Sequence, residues 1–105
     1  MNIPELQKQA MEIRQKYSEL NAKNGHDKWQ AKDFMMGFVG DVGDLTKLVM
    51  AKENMRVIEN TDQKLEHELA DCLWSLLVIA ENYSIDLEKA FTRTMNELEA
   101  RIANS

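Results

Sequence analysis

The chain has 105 residues, 44% of them hydrophobic and 30% charged, with a net charge of −5 and one cysteine. That length accommodates one small domain, residues 1–105, whose core alone gives modest stability. The acidic balance and the lack of a basic stripe argue against a nucleic-acid partner, a lone thiol fits a reducing, cytoplasmic setting, and neither a signal segment nor an apolar run of the roughly 18 residues a membrane span needs is visible.

Strand-like alternation is absent and helical spacing recurs throughout, so the chain reads as all-α. A first helix is predicted from about Pro4 to Asn21, with Pro4 in its first turn and Leu6, Ala10, Ile13, Tyr17 and Leu20 facing inward. A polar loop, Ala22 to Lys28, leads to a second helix from about Ala31 to Glu53, with Met35, Phe38, Val42, Leu45 and Val49 as its core stripe. Gly37, Gly40 and Gly43 step through that helix. Each costs roughly 0.8–1 kcal/mol against alanine, so they serve either close helix packing or room beside neighbouring side chains. Asn54 to Asn60 form a turn, with Thr61 as N-cap of a third helix from about Asp62 to Tyr83. Its inward residues are Leu65, Leu69, Cys72, Leu76, Ile79 and Tyr83. Asp86 caps a fourth helix, Leu87 to Ala103, with Ala90, Phe91, Met95, Leu98 and Ile102 on its apolar face. Short loops between such helices make a four-helix bundle, and apolar faces left over on the long helices predict that it oligomerises.

Two segments carry the chemistry: Val39-Gly40-Asp41-Val42-Gly43-Asp44-Leu45 and His67-Glu68-Leu69-Ala70-Asp71-Cys72-Leu73. Asp41 and Asp44, like Glu68 and Asp71, stand at i and i+3, the spacing that puts two side chains on one helix face. Both pairs are symmetric about Arg56. An antiparallel helical hairpin turning there sets Asp44 opposite Glu68 and Asp41 opposite Asp71. Carboxylates that close repel unless a cation lies among them, and oxygen ligands suit Mg²⁺, with Mn²⁺ as a second candidate.

In Gly40-Asp41-Val42-Gly43-Asp44-Leu45 and Glu68-Leu69-Ala70-Asp71 the chain resembles the MazG-type all-α nucleoside triphosphate pyrophosphohydrolases. That family has a first motif Glu-Glu-x-x-Glu, often ending Gly-Glu-Leu, and a second, Glu-x-x-Asp, on the next helix. Here Gly40 holds the first glutamate position and aspartates hold the other two, while the second motif is intact. A Gly-Glu-Val-Gly-Glu-Leu version is similar to the dCTP pyrophosphatase branch. The resemblance implies hydrolysis of a (deoxy)nucleoside triphosphate to the monophosphate and pyrophosphate, in nucleotide-pool house-cleaning, by a homodimer or homotetramer. It implies a metal held by Asp41, Asp44, Glu68 and Asp71, with Glu68 or Asp41 as base. The family's fourth helix often carries a Lys-Met and later Asn and Arg on the phosphates. Here Thr94 stands where that lysine would, and Arg93 and Asn96 are the candidates in its place.

Other residues keep two readings. Trp29 and Trp74 either pack or border a base pocket. Lys47, Lys52 and Lys64 form a solvated face or touch phosphate, and His67 reads as a surface histidine. A di-iron carboxylate site is excluded because neither His26 nor His67 follows a glutamate by three residues. The competing function is a degenerate, non-catalytic helical module that binds nucleotide or mediates oligomerisation.

Overall fold

The computed structural model describes residues 1–105 and contains four helices and no strand: α1 (Ile3–Lys23), α2 (Ala31–Lys52), α3 (Thr61–Asn82) and α4 (Leu87–Ala103). Local chemistry sets most of the helix starts. The Asn2 side chain accepts a hydrogen bond from Glu5 N at 2.9 Å, with Pro4 in the first turn of α1. Asp33 accepts from Gln30 N at 2.8 Å where α2 begins. Asp86 accepts from Lys89 N at 3.0 Å and caps α4, as the sequence predicts. These bonds satisfy amide donors that a helix start otherwise leaves orphaned.

The start of α3 differs from expectation. Thr61 is not the cap but the first helical residue, and its hydroxyl donates to the Ile58 carbonyl. The cap position falls on Asn60, whose φ of 55° is left-handed; Asn54, at 61°, opens the same loop in the same region. Asparagine tolerates that conformation better than most residues, so two asparagines bend the chain between α2 and α3.

The principal packing is α2 against α3, with α1 laid on α3 and α4 touching α1. The core is a cluster of Ala10, Phe34, Leu77 and Val78, flanked by Leu6, Trp74 and Ile79. Leu48 and Cys72 are buried nearer the acidic segments. The core stripes expected from periodicity hold in part: Ala10 and Cys72 are buried as expected, while other members turn outward. On α2, Met35, Val42 and Val49 remain 40–48% exposed, while Phe34 and Leu48 turn inward. On α3, Leu69, Leu76 and Tyr83 are exposed, and the buried series is Cys72, Ser75, Leu77, Val78 and Ala80. On α1, Ile13, Tyr17 and Leu20 stay exposed and Gln7 and Ala10 are buried. Nothing on α4 is buried.

The protomer is open. Its accessible surface is 8083 Å² at 12.1 kDa, against roughly 6,000 Å² for a compact monomer of that mass. Its radius of gyration is 16.8 Å, where a compact chain of this length has about 13 Å. No helix is long and apolar enough to cross a membrane.

Candidate active site

Where α2 packs on α3, carboxylate oxygens of Asp41, Asp44 and Glu68 come within 4.8 Å of one another. Two helices supply them: Asp41 and Asp44 from adjacent turns of α2, Glu68 from α3. Asp71 is close enough to act electrostatically on Asp41, but its Oδ2 is engaged at 3.0 Å by Nε2 of His67, one turn back on α3. So the structure gathers three of the four expected carboxylates and places the fourth beside them. His67 is exposed, as expected, yet it reaches the site through Asp71, an i to i+4 relation that its adjacency to Glu68 obscured.

The electrostatics of the cluster are unfavourable as it stands. Partial burial, with the charges of Asp71 and Asp44, pushes the Asp41 carboxyl above the ordinary range. Partial burial, then Asp41, Asp44 and Asp71, does the same to Glu68. Both effects disfavour the ionised forms. Glu68 Oε2 is moreover fully buried with no hydrogen-bond partner. A buried carboxylate oxygen without a donor, among other carboxylates, fits a bound cation. The oxygen-only donor set suits a hard divalent ion. Cys72, buried beside the cluster, has its thiol pushed up by burial and by the same carboxylates, so the neutral thiol dominates near neutral pH.

Adjoining the cluster is a cavity of 430 Å³ with Asp41 and Asp71 on its wall. Four aromatic rings stand among its other walls. Trp29 and Phe34 meet edge to face at 5.3 Å between centroids, Phe34 and Trp74 at 5.4 Å, and Tyr17 and Trp74 tilt together at 6.0 Å. Both tryptophans weighed from sequence thus share one cavity with two of the acidic residues. Gly37 lies against the Trp29 ring; a Cβ there would come 3.3 Å from Cζ3. Gly40 and Gly43 face open space in the protomer, so close packing accounts for Gly37 alone.

The sequence reading missed the contribution of α1. Arg14, Tyr17, Ser18 and Asn21 line the cavity from that helix, and Ser75 from α3. Arg14 donates to the Trp29 carbonyl at 3.3 Å, stands 5.6 Å above the Phe34 ring, and leaves its Nε buried without a partner. The signal was the spacing Ala10, Arg14, Tyr17, Asn21, which keeps one helix face. The apolar series Ile13, Tyr17, Leu20 fits the same period and masks it.

The remaining candidates separate. Lys47 shares a second cavity with Asp44 and Glu68. Arg93 and Asn96 line an open groove on α4 with Glu88, Lys89 and Thr92, and the carboxylate cluster contributes nothing to that groove. Lys52 is paired with Asp62 at 2.6 Å across the α2–α3 loop.

No curated protein matches the chain. A family model, the MazG nucleotide pyrophosphohydrolase domain, matches residues 47–104, which is more than half of the 105. The matched stretch contains Glu68 and Asp71 and begins just after Asp41 and Asp44. With its helical architecture and the Glu-x-x-Asp segment of α3 inside that stretch, the chain belongs to the MazG nucleotide pyrophosphohydrolase family.

Proposed function

We propose that the protein hydrolyses a (deoxy)nucleoside triphosphate to the monophosphate and pyrophosphate, using a divalent cation, Mg²⁺ or Mn²⁺, held by Asp41, Asp44 and Glu68 with Asp71 at its edge. The observation that carries this reading is the orphaned, buried Oε2 of Glu68 within a three-carboxylate cluster that opens onto an aromatic cavity. A volume of 430 Å³ in which four aromatic rings stand among polar side chains suits a nucleobase and its sugar. Trp29 and Trp74 border the base, and the free Nε of Arg14 offers it a donor. The cation, when bound, neutralises triphosphate oxygens and acidifies a coordinated water.

The chain's own groups then do the rest. Water attacks the α-phosphorus, the bond from that phosphorus to the α,β-bridging oxygen breaks, and pyrophosphate departs. Glu68 or Asp41, both beside the reacting centre in this reading, accepts the water's proton. The likeness of Gly40 to Leu45 to the dCTP pyrophosphatase motif puts dCTP first on any substrate panel.

The active form is an oligomer in this reading. Met35, Val42 and Val49 on α2 and Leu69, Leu76 and Tyr83 on α3 each repeat every seven residues and are exposed. The excess surface of roughly 2,000 Å² is of the order that obligate subunit contacts cover.

Pyrophosphate release from a panel of ribo- and deoxyribonucleoside triphosphates with Mg²⁺ tests the activity. A folded, helical protein that turns over none of them sinks it. That result would favour the second reading, a non-catalytic nucleotide-binding or oligomerisation module, to which one observation points: the family match leaves out the first acidic segment, where Gly40 stands in a glutamate position.

A further inference from the structure

Two cavities flank the carboxylate cluster, and they differ in chemistry. The aromatic one takes Asp41 and Asp71 into its wall. The other, of 520 Å³, takes Asp44 and Glu68, and its walls carry Lys47, Lys64 and His67. Lys47 stands three residues after Asp44 on α2, and Lys64 four before Glu68 on α3, so each lysine shares a helix face with a carboxylate of the cluster. Neither is spent on an ion pair: the side-chain ion pairs of the protein are Lys52 with Asp62 and His67 with Asp71. Two unpaired ammonium groups, brought into one cavity by different helices and bordered by the carboxylates of a cation site, form a receptor for a polyanion that carries its own cation.

We propose that this second cavity is the pyrophosphate subsite, with Lys47 and Lys64 holding the β- and γ-phosphates. The inference rests on the reading under Proposed function and gives it a direction. The nucleotide lies across the cluster, base toward Trp29 and Trp74, tail toward the lysines. When the bond from the α-phosphorus to the bridging oxygen breaks, its electron pair stays on that oxygen, and the charge develops on the lysine side. Fixed cations placed where charge develops stabilise the departing group without reorganising. In the protomer Arg93 and Asn96 line the separate α4 groove, whereas Lys47 and Lys64 adjoin Asp44 and Glu68.

The test is calorimetric titration of the full chain with inorganic pyrophosphate in Mg²⁺, beside a titration with nucleoside monophosphates. Lys47→Ala and Lys64→Ala should each weaken pyrophosphate binding about tenfold, the loss of one charge-assisted contact, with helicity by circular dichroism unchanged. Monophosphate affinity should hold, and Lys52→Ala, whose ammonium is tied to Asp62 outside the cavity, should bind pyrophosphate as the parent does. The subsite is overturned if the parent binds no pyrophosphate, if the double lysine variant binds it undiminished, or if Arg93→Ala abolishes binding while the lysine variants keep it. A chain that turns over no nucleotide yet binds pyrophosphate through these lysines supports the subsite and removes the enzymatic reading. A chain that turns over nucleotide with pyrophosphate affinity indifferent to both lysines removes the subsite alone.

Discussion

The indole N–H of Trp74 donates to the carbonyl oxygen of Ala10 at 3.1 Å, joining α3 to α1 across 64 residues of sequence. Trp74 lies one turn after Asp71, so the bond that docks α1 also fixes an aromatic wall beside the acidic site. Trp74→Phe keeps an aromatic ring and deletes the donor. It should lower unfolding free energy by about 1 kcal/mol, the net value of one such hydrogen bond. Urea denaturation measures that. Under the proposed function, KM for the nucleotide should rise more than kcat falls, since the wall touches the base and not the reacting phosphorus.

The carboxylate cluster makes the metal-free protein sensitive to pH in a direction that can be worked out. Partial burial, reinforced by neighbouring carboxylates, raises Asp41 and Glu68 in the folded state above their unfolded values. A raised group contributes stability that is full below the unfolded pKa and is lost as pH climbs through the folded one. In chelator, the melting temperature should therefore fall as pH rises upward from about 4, where free carboxylates ionise. Added Mg²⁺ should raise it, and by more at neutral than at acid pH, because the ion binds the deprotonated groups. A chelated protein whose melting temperature climbs over that window would contradict the electrostatic account.

Single-carboxylate variants separate stability from chemistry at the same place. Asp41→Asn removes one repelling charge, so the metal-free fold should melt higher than the parent and depend less on pH. Its turnover should drop at least about 100-fold, since even the residues behind metal ligands cost 10–100-fold when changed. Glu68→Gln should behave alike. Thermal scans in chelator and pyrophosphate release in Mg²⁺ give the two readouts, and a variant that is both more stable and fully active would remove Asp41 from the site.

Much of this arrangement is legible in the sequence alone. The i, i+3 carboxylate pairs fall on helix faces because the helical period leaves no other option, and Asp86 as a cap fixed where α4 begins. What periodicity could not decide was which apolar stripe of α2 is inside. Met35, Val42 and Val49 satisfy the period as well as Phe34 and Leu48 do; the choice is made by α1, whose Ala10 and Arg14 meet Phe34. Arg14 and Asn21 enter the cavity for the same non-local reason, which no motif spacing records. Asp71 is expected beside a cation, and in the structure a histidine four residues earlier engages its Oδ2 at 3.0 Å.

Gly37 and Gly43 should respond in opposite ways to alanine. A Cβ on Gly37 would press on the Trp29 ring at 3.3 Å, whereas one on Gly43 meets nothing within 4 Å. Gly43→Ala should therefore stabilise by about 0.8–1 kcal/mol through helix propensity alone. Gly37→Ala has the same propensity gain but must displace Trp29, so its nucleotide affinity should fall and its tryptophan emission should shift. Fluorescence and urea titration on both variants distinguish the cases; equal effects at the two positions would mean that Gly37 does not seat the ring.

The exposed seven-residue series on α2 and α3 carry the expectation of assembly. Only 9 of 105 residues are buried in the protomer, while Val42, Leu69, Leu73 and Leu76 are all at least 40% exposed. Scattered exposed apolar residues are ordinary, but a repeat on two helices that pack on each other is a surface fit to meet a second copy. Light scattering at micromolar concentration should give a dimer or a larger species, and the melting temperature should rise with protein concentration, because association stabilises by mass action. Leu73→Lys puts a charge into that surface; it should shift the protein toward monomer and remove the concentration dependence. Leu73 lines neither cavity beside the carboxylates, so any loss of turnover that tracks the monomer fraction would mean the site is completed by the neighbouring copy. A parent that scatters as a monomer, with a melting temperature independent of concentration, would leave the excess surface to some other partner.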